Sequence, residues 1–126
     1  MPKEHWKPDP DDHDFPAAHD YLTLLLQERS AAAVVTALRK ATLEHRKAKD
    51  LLRASALSLL PDDNVHVAKD LDKVRRGELL SPVLLVRGSL QGGWPLTVAD
   101  GYHRICASHH LDEDADIPCR LADVLH

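Results

Sequence analysis

Five consecutive residues, Asp100, Gly101, Tyr102, His103 and Arg104, bring a carboxylate, a glycine, an imidazole and a guanidinium into one short turn. The apolar "LTVA" precedes them and "ICASHHL" follows. Asp-Gly between apolar runs often makes a hairpin. Here Ile105, Ala107, Ser108 and Leu111 recur at helical rather than alternating spacing, so Gly101 is read as a tight strand-to-helix turn. Such a turn leaves backbone N–H groups without intrahelical acceptors at the positive end of the helix dipole, where phosphate and carboxylate bind. Gly101 permits close backbone approach, Arg104 carries a forked cation, and His103 donates hydrogen bonds or moves a proton. A competing reading stays open: Arg104 pairs with Asp100 or Asp70, and His103 faces solvent.

The other chemical candidates are weaker. Nine histidines are scattered along the chain, with no HExxH helix and no Cys/His ligand ladder, so no metal site is assigned. His13 and His19 sit among Asp11, Asp12, Asp14 and Asp20, a mix a divalent ion could use, but Pro8, Pro10 and Pro16 interrupt any rigid ligand geometry. Cys106 and Cys119 are too few for a disulfide scaffold, and Cys119 beside Pro118 reads as a small buried residue. Trp94 in a Gly-rich loop either stacks on a base or covers a core edge.

These groups must be carried by a chain of 126 residues that is 44% hydrophobic but only 4% aromatic, so its core is built from Leu, Val and Ala. A chain of this length buries about two-thirds of its unfolded surface. The net charge of −4 argues against non-specific nucleic-acid binding. No apolar run approaches a membrane span, and the N-terminal "MPKEHWKPDPDDHD" is not a signal peptide, so a reducing cytoplasm is expected.

Along the chain, residues 1–14 read as an irregular arm. "PAAHDYLTLLLQE" and "AAAVVTALRK" predict two helices paired as a hairpin, with Pro16 in the first turn of one and Ser30 capping the other. "EHRKAKDLLRAS" predicts a third helix or a connector with Leu51 and Leu52 inward. "ALSLLP" predicts a strand, and Asn64 caps "VHVAKDLDKVRRG", which Gly77 ends. "SPVLLVRG" is a buried strand, "LTVAD" a second, "GYHRICASHHL" a helix and "IPCRLADV" the last strand.

The order strand, "PDDN", helix, "GELLSPVLLVR", strand, "DGYHR", helix, "IPCR" resembles the ParB/sulfiredoxin fold family over about residues 55–123. The resemblance implies a small mixed sheet with helices at 55–126, an α/β fold, preceded by an arm and helical extension at 1–54. In that family a Gly-x-x-Arg turn grips nucleotide phosphates. This carries over to Gly101, Tyr102, His103 and Arg104, and more loosely to Asn64 and His66. Sulfiredoxin-like members place a catalytic cysteine where Tyr102 stands, so sulfinic-acid repair is not expected. Partition-type members add a helix-turn-helix domain, and this chain ends at His126, so specific DNA binding is not expected either. Members that act on phosphates need a carboxylate beside them. Asp100 is the first candidate, with Asp62, Asp63 and Glu78 behind it, to hold Mg²⁺ with a nucleoside triphosphate or to act as base alongside His103. Asp100 also reads as a turn residue. The expectation is a cytoplasmic protein that binds a nucleotide or other phosphorylated small molecule at this turn, with phosphoryl transfer or hydrolysis as its chemistry and a homodimer compatible with it. The alternative is a non-catalytic interaction module.

Overall fold

The computed structural model describes residues 5–124; the first four residues of the arm and His126 lie outside them. Four strands form one mixed sheet in the order β1-β4-β2-β3, where β1 is Glu44–Lys47, β2 Val83–Val86, β3 Thr97–Asp100 and β4 Asp116–Ala122. The central pair β2/β4 is parallel, and both outer pairs are antiparallel. The "VLLV" of β2 is buried on both sides, as a central strand requires.

Alternation along the strands divides the core in two. Val83, Leu85, Val98, Ile117 and Cys119 face helices α3 (Ala48–Ser55), α4 (Val65–Arg75) and α5 (Tyr102–Leu111). Leu84, Val86, Ala99 and Ala122 face helices α1 (Asp14–Leu22) and α2 (Glu28–Lys40). The result is a three-layer α/β/α protein, the small mixed sheet with helices expected from sequence. The first 54 residues do more than precede this sheet: they contribute strand β1, helix α3 and the whole of one covering layer. Among the described residues, no helix is long and apolar enough to cross a membrane.

Two segments depart from the sequence reading. "ALSLLP" is not a strand; residues 57–60 run without regular structure, and the carbonyls of Ser58 and Leu60 accept hydrogen bonds from the Tyr102 hydroxyl (2.6 Å) and His110 Nε2 (2.7 Å). Side chains there satisfy backbone groups that a ladder would otherwise pair. The strand lies instead in "EHRK", which joins the sheet at its edge, where charged side chains cost little. Helix α2 starts at Glu28 rather than after Ser30, since Glu28 and Arg29 are good helix formers and an acid suits the first turn. Helix α1 stops at Leu22, before the expected end of its apolar run.

Local signals at α4 are realised in full. The Asn64 side chain accepts from the N–H groups of His66 and Val67 at 3.0 and 3.2 Å. At the other end Gly77, with φ +79°, completes a C-cap in which Gly77 N–H bonds Val74 O and Glu78 N–H bonds Lys73 O. Far upstream, Trp6 is buried against the α3/α4/α5 side of the core, and its neighbours straddle Leu80: Lys7 N–H donates to Leu80 O and Leu80 N–H to His5 O. The arm is thereby fastened alongside the entry to β2.

Candidate functional site

Gly101 makes the expected strand-to-helix turn between β3 and α5. Its φ of +111° is unfavourable for any residue with a Cβ, and a Cβ there would collide with Val83 Cγ1 and lie 2.8 Å from Arg104 Nη2. The turn can therefore be this tight only with glycine. No side chain caps α5, so the N–H groups of Tyr102, His103 and Arg104 lack intrahelical acceptors.

This first turn borders a cleft of about 340 Å³. Helix α4 supplies one wall through His66, Lys69, Asp70 and Lys73, which follow one another at helical spacing along the flank of the buried Val67 and Leu71 stripe. The arm supplies another through Lys7, Asp11 and His13, and the floor is Leu80, Ser81, Asp100, Gly101, His103 and Arg104. The arm, α4 and the entry to β2 thus meet around the DGYHR turn.

Arg104 does not reach into the cleft as a free fork. Nη2 donates to Asp100 Oδ2 at 2.7 Å, Nη1 bonds Ser81 Oγ, and Nη1 lies 3.7 Å from Asp14 Oδ1. Its side chain is 15% exposed, and Asp14 is buried at the start of α1. Of the two open readings of Arg104, the ion pair with Asp100 is the one formed. Arg104 is a cross-brace between α5, β3, the Ser81 entry to β2 and α1. Burial pushes the Asp100 carboxyl up, Arg104 pulls it back, and nearby Asp14 adds to the rise. Asp100 is therefore a partner of the guanidinium before it is a base or a metal ligand.

His103 does line the cleft. Its ring lies 4.6 Å from that of His66, centroid to centroid, and 5.6 Å from that of Tyr102. Burial, followed by the neighbouring His66, holds the His103 imidazole below its ordinary value. Burial likewise raises the Asp70 carboxyl, against the pull of Arg104 and Lys73. Lys7 and Asp11 pair at 2.8 Å, which lowers the Asp11 carboxyl.

The remaining sequence candidates lie elsewhere. Asn64 is spent as the α4 cap and does not line the cleft. Tyr102 turns its hydroxyl to Ser58 and packs against the core. Asp62 borders a separate hollow on another side of α4 with Val65, Ala68 and Asp72, and Glu78 pairs with Arg76 at 2.9 Å. Trp94 sits by Gly92 in the loop before β3, away from the cleft. His19 pairs with Glu28 at 2.9 Å, so it does not join His13. Asp11, His13 and Asp14 bring one ligand atom each to within 4.8 Å of one another, a grouping that could hold a metal ion, although Lys7 already occupies Asp11 and His13 is exposed. Nitrogen in that set suits a transition metal better than Mg²⁺.

Sequence reasoning missed Lys69, Lys73, Lys7 and Ser81. The α4 residues had a visible signal, the polar stripe at 66, 69, 70 and 73; the arm had none, because only the folded chain brings Lys7 to Leu80. No protein-family model, curated protein or solved structure matches the chain.

Proposed function

We propose that this chain is a binding protein for a phosphorylated small molecule, with nucleotides the foremost class, and that the phosphate rests on the first turn of α5. The observation that carries this is the convergence of that open helix start with His66, Lys69, Lys73 and His103 on one cleft. Neither Lys69 nor Lys73 enters a salt bridge with a described residue, so both charges are available to an anion. The strand, Gly101 turn and helix, with the capped α4 before them, also support the ParB/sulfiredoxin-like resemblance.

Binding is favoured over turnover, because the carboxylate that phosphoryl transfer or hydrolysis needs is engaged by Arg104. If a divalent ion arrives with the phosphates, Asp11 and His13 are the cleft groups with a shared ligand geometry for it. The two free cysteines, both buried, are in keeping with a reducing cytoplasm.

The test is a thermal-shift and calorimetric panel of nucleotides and sugar phosphates, with and without Mg²⁺. At least one should bind, and Lys69→Glu with Lys73→Glu should abolish its binding while the protein stays folded. No response across the panel rejects the reading. A second reading, an interaction module, has Tyr21, Leu24 and Leu25 behind it, exposed side chains at the end of α1 and in the turn after it. A monomer by light scattering at 100 μM would exclude its homodimer form.

A further inference from the structure

We infer that the adjacent, mutually tilted rings of His66 and His103 form a proton-coupled clamp, in which one imidazole takes up a proton as a dianionic phosphoryl group binds beside Lys69, Lys73 and the first turn of α5. This rests on the proposed phosphate site and adds the charge state of the group it takes.

Several charges in the cleft are already paired. On the arm, Lys7 is held by Asp11. On β3, Asp100 is held by the Arg104 guanidinium of α5, which also faces Asp14 of α1, with His13 Nε2 3.5 Å from that carboxylate. What remains on the rim is Lys69, Lys73 and Asp70 of α4 with the two imidazoles. With both rings neutral, the two lysines exceed Asp70 by one positive charge, while Arg104 faces two carboxylates, Asp100 and Asp14, and offsets only one of them. A proton on the ring pair therefore adds positive charge that a dianion needs and the paired groups do not supply.

The ring geometry disfavours a second charge on the pair, and burial disfavours the first at His103. Rings 4.6 Å apart cannot both be cationic cheaply, and Arg104 adds to the repulsion on His103 while Asp70 opposes it. Partial burial of His103 works in the same direction. A dianion reverses the balance, since it pairs with the imidazolium and leaves the second ring neutral as an N–H donor. By linkage, binding then tightens as pH falls, by up to about tenfold per unit for one proton, between the bound and free midpoints.

Sulfate is the clean probe, because it stays dianionic throughout the histidine range. The imidazole C–H resonances of the full chain, assigned with His66→Gln and His103→Gln, would be titrated in sulfate and in chloride of matched ionic strength. The expected result is a His66/His103 midpoint at least about half a pH unit higher in sulfate than in chloride, with the histidines outside the cleft unmoved. Equal midpoints in the two salts overturn the clamp. If the nucleotide and sugar-phosphate panel binds while the midpoints stay equal, the clamp falls and the phosphate site stands. If sulfate moves the midpoints and no compound in the panel binds, the clamp stands and the nucleotide reading falls.

Discussion

At Gly101 two constraints meet in one residue: a backbone conformation closed to side chains and a hydrogen where Val83 leaves no room for a methyl. Gly101→Ala should cost about 2–4 kcal/mol, combining left-handed strain with overpacking, and chemical denaturation would measure it. A loss under about 0.5 kcal/mol would mean that the turn relaxes freely. Asp70 presents the reverse case, a carboxyl raised by burial among cations that an anionic ligand would want. Because its folded value lies above its unfolded one, the stability it contributes is fully present below about pH 3.9 and is lost as pH rises through the folded midpoint. Asp70→Asn should therefore gain stability relative to wild type between pH 4 and 7. It should also tighten sulfate binding about 2–5-fold, the size of one partly solvated charge interaction. Weaker sulfate binding would show that Asp70 orients the lysines rather than opposing the ligand.

Among the elements, α4 is both the best-announced helix and the wall of the cleft. Its cap and its terminating glycine are local, and both were legible; the buried stripe was read through Val65, Ala68, Leu71 and Val74, whereas Val67 and Leu71 are the buried residues and Val65 is exposed. So were β2, β3, α5 and β4, whose apolar runs and punctuation leave few alternatives. β1 was not, since a charged edge strand has neither alternation nor β-branched residues to announce it. "ALSLLP" misled for the opposite reason: its leucines look like a strand, yet its carbonyls are bonded by Tyr102 and His110 from α5. The same boundary between local and distant information divides the site. Gly101, His103 and Asp100 could be named from one turn, whereas Asp14 and Lys7 reach it only through the tertiary fold. The capping role of Asn64 separates two ideas about that residue. Asn64→Ala should lower stability by about 1 kcal/mol and leave the affinity for sulfate unchanged at a temperature where both proteins are folded. A severalfold loss of affinity would restore it to the binding site.

For the whole molecule, the boundary at residues 54 and 55 that the resemblance implies cuts through a single sheet. A fragment of residues 55–126 would lose β1, expose the face of Leu84, Val86, Ala99 and Ala122, and leave Arg104 without Asp14. It should fail to give a dispersed NMR spectrum or a cooperative melt. A cooperative fold in that fragment would make α1 and α2 a true extension. Arg120 binds the layers from within β4: its guanidinium donates to the carbonyls of Leu38 and Arg39 at the end of α2 and stands over the Phe15 ring of α1.

The two thiols give this architecture a clock. Cys106 on α5 and Cys119 on β4 are both buried in the layer shared with α3 and α4, and burial pushes Cys119 up to about 12. Only a thiolate alkylates, so neither sulfur reacts at neutral pH until the layer parts. Iodoacetamide should therefore label both at one common rate, set by the frequency of cooperative opening, and a cleft-filling anion should slow both together. Labelling of Cys106 alone would reveal an α5 that breathes apart from the sheet, taking the floor of the cleft with it.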